Sequence, residues 1–157
     1  MRRRYTCRLM RIALGADHAG VHLKQEIRQL LDERGIAYTD FGTNAIDSVD
    51  YPDFAASVST EVAQGRFDFG ILFCGSGIGM AMAANKLPGV RAASVTDETS
   101  ARLSREHNNA NVLALGERIT PAAVARQIVN TFLDTPFAGG RHQRRLDKIA
   151  ALEHPPA

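Results

Sequence analysis

Hydrophobic and polar positions along this chain follow two rhythms. Short, nearly continuous apolar runs, "RIALGAD" (11–17), "DFGILFC" (68–74), "RAASV" (91–95) and "NVLALG" (111–116), are separated by longer segments in which apolar residues recur every three or four positions. The runs suit strands buried on both faces, and the longer segments suit amphipathic helices laid over them. Over 20–34 the residues Leu23, Ile27, Leu30 and Leu31 form one stripe, and Gly35 is placed to end that helix as a C-cap residue. A strand at "AYTDFG" (37–42), a loop ending in "DYPDF" and a helix through Ala63 precede the 68–74 strand. The next helix reaches about Lys86, and "TSARLSREH" (99–107) forms another. "TPAAVARQIVNTFLDT" opens with Thr120 as N-cap and Pro121 at the first helical position.

Five strands with helical crossovers predict a Rossmann-like three-layer α/β/α sandwich with a five-stranded parallel sheet, which places ligands beyond the carboxyl ends of the strands. Those ends carry Asp17 and His18, then Cys74 to Gly79, then Thr96 and Asp97, then Gly116 to Arg118. Residues 136–153 form a helical tail too small for its own core, expected to dock on this domain or on another subunit. Residues 10–153 are thus expected to be one domain, and residues 1–9 a flexible extension, with Met10 the more natural domain start.

With 45% hydrophobic and 23% charged residues the composition is that of a soluble globular protein rather than a disordered one. The net charge of +2 has a local source: without Arg2, Arg3, Arg4 and Arg8 it becomes −2, so no basic surface for nucleic acid is implied. No apolar run is long enough to span a bilayer, and no apolar segment of a secretory signal follows the opening arginines. The two cysteines, Cys7 and Cys74, make neither a disulfide framework nor a zinc spacing. A reducing cytoplasm fits this usage.

The candidate chemistry clusters at the predicted strand ends. Gly75, Gly77 and Gly79 form GxGxG, one residue short of a dinucleotide signature. Such a loop either turns its amides toward an anion at a helix N-terminus or is simply a tight turn. Cys74 is either an inert small hydrophobe or a thiol whose thiolate form the neighbouring amides favour, usable as nucleophile or base. Asp17 and His18 can position a hydroxylated ligand and exchange protons with it, although Asp17 also suits a helix cap. His107 and Asn108 lie in a polar run before the last strand. Arg141, Arg145 and Lys148 share a helical face, which reads as a solvated surface or a phosphate clamp. These parts suit proton shuttling on a small, hydroxyl-rich phosphate ester.

The stretches "GADHAG", "FGT", "DYPDFA", "CGSGIGMAMAANK", "RAA", "SREHNNANVLALGER" and "GGRHQRR" stand in the order and spacing of a known family. Residues 10 to about 153 resemble the sugar-phosphate isomerases that include ribose-5-phosphate isomerase B and galactose-6-phosphate isomerase subunits. The resemblance implies interconversion of ribose 5-phosphate and ribulose 5-phosphate with no metal and no coenzyme. It implies Cys74 as the base that moves a proton through a cis-enediolate, with Ser76 and the amides of Gly75, Gly77, Ile78 and Gly79 around the oxyanion. It further implies that His107 assists ring opening in the site of a neighbouring subunit, that Asp17, His18 and Tyr51 meet the sugar, and that Asn108, Arg118, Arg141 and Arg145 complete the site around phosphate. Cys74 and Met80 together imply the branch that uses the cysteine as base, not the one with serine at the Cys74 position and a glutamate base at the Met80 position. The partner expected is a small sugar phosphate, in a homodimer with shared active sites or a tetramer of such dimers. The alternatives are a six-carbon substrate, allose or galactose 6-phosphate, and a non-catalytic sugar-phosphate-binding module.

Overall fold

The computed structural model describes residues 9–157. Its strands β1 (Arg11–Ala16), β2 (Ala37–Asp40), β3 (Phe69–Cys74), β4 (Ala92–Ser94) and β5 (Val112–Gly116) form one sheet, ordered β2-β1-β3-β5-β4, with every neighbouring pair parallel. The helices are α1 (Val21–Glu33), α2 (Tyr51–Ala63), α3 (Ile78–Ala84), α4 (Glu98–Glu106), α5 (Ala122–Asp134) and α6 (Arg141–Ala151).

Alternation along the central strands divides the core in two. Ile12, Leu14, Ile71, Phe73, Leu113 and Leu115 face α1 and α5 and bury against Ile27, Leu31, Ile128 and Phe132. Ala13, Leu72, Cys74, Val112 and Ala114 face α2 and α3. Each large aliphatic or aromatic side chain buried this way contributes about 2 kcal/mol. The second face is built of smaller residues because α2 lies close to the sheet. A Cβ on Gly15 or Gly70 would sit 2.7 or 2.6 Å from Val58.

Helix α1 ends as predicted at Gly35. That residue has φ +66°, its N–H donates to the Asp32 carbonyl at 3.1 Å, and the Ile36 N–H donates to the Leu31 carbonyl at 2.9 Å. Three boundaries differ from expectation. "DYPDF" is not loop, since α2 begins at Tyr51 with Pro52 in its first turn, where a missing N–H costs nothing. Pro121 rather than Thr120 is the N-cap of α5, its extended ψ of 148° holding it just outside the helix. Helix α3 stops at Ala84, short of Lys86. Of the predicted extension only Leu9 is described, and it is exposed; Arg2, Arg3, Arg4, Cys7 and Arg8 lie outside the described residues. Among the described residues no helix is long and apolar enough to cross a membrane.

The most deeply buried charged side chain among the described residues is Lys24. Lys24, on α1, is 1% exposed, and its Nζ donates to Asp40 Oδ1 at 3.1 Å, Asn44 Oδ1 at 3.0 Å and the Thr43 carbonyl at 2.5 Å, with Asp40 Oδ2 also within ion-pair distance at 2.9 Å. Three protons meet three oxygens, so the ammonium is satisfied although dry. The contacts pin the segment that leaves β2 and leads to α2. Lys24→Met should lower unfolding stability by about 3 kcal/mol in urea titrations, because the largely buried Asp40 carboxylate loses its close ammonium partner and keeps only Arg28, at 3.6 Å, as a cation. A loss below about 1 kcal/mol, the worth of an exposed pair, would mean that the segment holds itself in place.

Candidate active site

Ala16 pairs with Phe73, and Cys74 with Gly116, so the residues that follow β1, β3 and β5 emerge side by side. The chain leaves β1 toward the β2 edge and leaves β3 toward the other edge, and such a switch point opens a crevice at the carboxyl ends.

The crevice is shaped by the loop after β3. Gly77 adopts φ +78°, a left-handed conformation that side chains disfavour, and this turns its N–H onto Cys74 Sγ at 3.1 Å. The sulfur thus accepts an amide hydrogen bond at the entrance to α3, the arrangement a sulfur anion needs. Ser76 Oγ accepts the Ile78 N–H at 3.2 Å, which leaves the hydroxyl proton free to donate elsewhere. The loop is fastened to the extension of β5: the Glu117 N–H donates to the Cys74 carbonyl at 2.9 Å and the Arg118 N–H to the Gly75 carbonyl at 3.0 Å. This approach requires Gly116, where a Cβ would fall 2.4 Å from the Ser76 carbonyl carbon.

A cleft of about 400 Å³ results, lined by Tyr51, Cys74, Gly75, Ser76, Gly79, Arg118 and Ile119. Arg118 lies over Gly75, its Nη1 only 3.1 Å from where a Cβ would be, and the Tyr51 ring rests against Gly79. Asp17 and His18 stand at the adjoining β1 terminus rather than in the cleft wall. Asp17 Oδ1 accepts the Ala19 N–H at 3.0 Å, so the capping role foreseen for it is real. His18 Nδ1 accepts the Val49 N–H at 3.1 Å. Neutral His18 therefore carries its proton on Nε2, available as a donor.

The other expected residues gather elsewhere. His107 ends α4, and its ring stacks on His142 with centroids 4.4 Å apart and planes 14° apart. Helix α6 thereby sets Arg141 and Arg145, both exposed, near His107. Asn108 lines a separate cleft of about 550 Å³ with Arg91, Leu146 and Ile149. None of His107, Asn108, Arg141 and Arg145 lines the Cys74 cleft of its own chain. The predicted set is split into a thiol half and an imidazole half.

Sequence reasoning missed His142, Ile119 and Lys24. Lys24 had a legible signal, since it falls on the stripe of Ile27 and Leu31; His142 and Ile119 had none beyond their neighbours. Partial burial, then the neighbouring His107 ring and the charges of Arg141 and Arg145, hold the His142 imidazole below its ordinary value of 6.5, with Glu106 opposing.

The sequence profile of the family described as Ribose/Galactose Isomerase matches residues 12–149. The chain belongs to that family. Ribose-5-phosphate isomerase B of Escherichia coli (strain K12) is 46% identical over 145 residues, covering 92% of this chain and 97% of that protein. The Clostridium thermocellum ribose-5-phosphate isomerase B structure superposes with a TM-score of 0.91 at 51% identity, covering 92% of this chain and 97% of the other. The Mycoplasma genitalium enzyme, solved with bound ribulose-5-phosphate, gives 0.90 at 44% identity, covering 94% and 98%. Family membership and the three-layer fold agree with the sequence reading.

Two outcomes follow from this geometry. Gly77→Ala must force a Cβ to 2.9 Å from the Leu115 carbonyl carbon in a left-handed conformation, and should cost about 2 kcal/mol of stability together with most activity. Because the folded His142 holds its proton less tightly than the unfolded chain, its neutral form favours folding above 6.5, and that contribution is lost as pH falls. In thermal melts between about pH 7 and about pH 5, His142→Gln should lose stability less steeply than the wild type. Parallel curves would remove His142 from the acid sensitivity.

Proposed function

We propose that this protein is an aldose-ketose isomerase that interconverts D-ribose 5-phosphate and D-ribulose 5-phosphate. The observation that carries the reading is the Gly77 N–H directed at Cys74 Sγ, 3.1 Å away, on the wall of an open cleft beside Arg118. Cys74 as thiolate takes the proton from C2 of the open-chain aldose and returns it to C1. The electron pair shifts through a cis-enediolate while the C1 oxygen gains a proton and the C2 hydroxyl gives one up, so that the C2 oxygen becomes the ketone and the two oxygen protons balance. Charge that develops on oxygen meets the Ser76 hydroxyl and the amides of Gly75 and Gly79, while the Gly77 N–H stays on Cys74 Sγ and the Ile78 N–H holds Ser76 Oγ in place. Asp17, His18 and Tyr51 hold the sugar hydroxyls, and Arg118 attracts the phosphate.

His107 opens the furanose ring by exchanging a proton with its oxygen, and it does so in the cleft of a second copy. Support comes from the separation of the imidazole half from the thiol half within one chain. A second support is the apolar rim of the cleft: Tyr51 is 40% exposed, Ile78 50%, Met82 65% and Ile119 51%, an uncovered patch that a like subunit would bury. Asn108, Arg141 and Arg145 come with His107 and complete the phosphate clamp, and the tail over 136–153 docks on that partner.

A coupled assay of ribulose 5-phosphate formation tests the activity. Cys74→Ala should lower kcat by about a thousandfold or more while sugar-phosphate binding, read by calorimetry, changes little; an unimpaired variant would remove the thiol from the chemistry. Six-carbon phosphates should give lower kcat/KM than ribose 5-phosphate, and the reverse order would move the assignment to allose or galactose 6-phosphate. Co-refolding inactive Cys74→Ala with inactive His107→Gln should restore turnover, because a mixed dimer holds one site with both residues intact. No recovery would place both groups in one chain's own site.

A further inference from the structure

At the amino ends of β3, β4 and β5, opposite the Cys74 mouth, a cleft of about 540 Å³ is lined by Asp68, Phe69, Arg91, Arg105 and Asn109 among others. Arg105 is 8% exposed. Its Nη1 donates to Asn109 Oδ1 at 2.8 Å and to the Ala110 carbonyl at 2.6 Å, and its guanidinium lies 4.7 Å from the Phe69 ring centroid and 5.6 Å from that of Phe132. None of these partners is an anion, and Arg105 Nε is buried with no acceptor. Arg91 reaches the same place from the start of β4, its Nε donating to the Asn109 carbonyl at 3.0 Å. Asn109, in a left-handed conformation at φ +45°, therefore offers its backbone oxygen to one arginine and its side-chain oxygen to the other.

Cation–π contacts and two hydrogen bonds explain why a single arginine can be buried here. They do not explain a second one drawn to the same residue. Burial lowers the proton affinity of both guanidiniums; the charge of Arg91 lowers that of Arg105 further, and only Glu153 opposes the effect at Arg91. No salt bridge to either arginine forms among the described residues. Asp68, the acid in the cleft wall, accepts the Arg11 N–H through Oδ2 at 2.8 Å. Two cations that converge on a solvent-open cleft, with donors still unused, form a receptor for negative charge.

We propose that this cleft binds a small oxyanion, inorganic phosphate or a phosphomonoester headgroup, between Arg91 and Arg105, at a site separate from the Cys74 cleft. The proposal stands whether or not the isomerase assignment does. Inorganic phosphate and methyl phosphate, titrated separately into the full-length protein and followed in ¹H–¹⁵N spectra, test it. The Arg105 Nε–H and Asn109 amide signals should move saturably, with a dissociation constant of about 1 mM. The more tightly bound of the two phosphates identifies the natural source. Arg118→Gln, in the other cleft, should leave these shifts unchanged, whereas Arg91→Gln should weaken them about tenfold or more. Arg91→Lys keeps the charge but loses the planar fork, and should fall between the two. Signals that drift without saturating mean an adventitious ion only and overturn the proposal, as does saturation unaltered in both Arg91 variants.

Discussion

The site depends on one hydrogen bond, from the Gly77 amide to Cys74 Sγ. It exists because Gly77 takes a left-handed backbone, and that turn has room because Gly116, on the neighbouring strand, presents no Cβ toward Ser76. Two absent side chains thus aim one donor. The rest of the cleft is arranged around the same loop: Arg118 is held over Gly75 by the bonds from Glu117 and Arg118 to the Cys74 and Gly75 carbonyls, and Ser76 is oriented by Ile78. A sulfur at the end of a buried strand would otherwise be an ordinary core atom.

The asymmetry of the sheet's two faces serves the same end. The face toward α1 and α5 carries the bulky side chains, while the face toward α2 and α3 is thinned by Ala13, Gly15, Gly70 and Ala114. Helix α2 can therefore sit close enough for Tyr51, its first residue, to lay its ring on Gly79. The segment before α2 is fixed by buried Lys24 at one end and by the Val49 to His18 bond further along. Packing on one helix face thus becomes the position of a ring and an imidazole at the cleft.

The parts of this molecule that rest on local periodicity were legible in the sequence. Continuous apolar runs gave β1, β3 and β5 within a residue, and Gly35 marked the end of α1, because burial on both faces and a left-handed C-cap each leave a compositional trace. The start of α5 was misread by one residue, since a proline satisfies either the N-cap or the first helical position, and only the backbone angles distinguish them. What needed the fold was any relation between distant segments. Nothing local links Lys24 to Asn44, His107 to His142, or Arg91 to Arg105. Cys74 and the glycines could be proposed as a unit because they are contiguous. The separation of Cys74 from His107 into two groups on one chain could not be read from spacing, and it entered only through the family resemblance.

That separation has an electrostatic consequence. Partial burial first, then the neighbouring His107, Arg141 and Arg145, already discourage protonation of His142 against the pull of Glu106, and Arg118 would add a further positive charge if it lay among them. Keeping Arg118 with the thiol half and the other arginines with the imidazole half lets each chain fold without that cost. In the proposed assembly the halves meet around a phosphate dianion, which converts mutual repulsion into attraction, so the substrate itself supplies the charge that makes the complete site favourable. At the far end of the sheet Arg91 and Arg105 are likewise drawn to one residue, Asn109, with no salt bridge to either among the described residues, and it is on that convergence that the proposed oxyanion site rests.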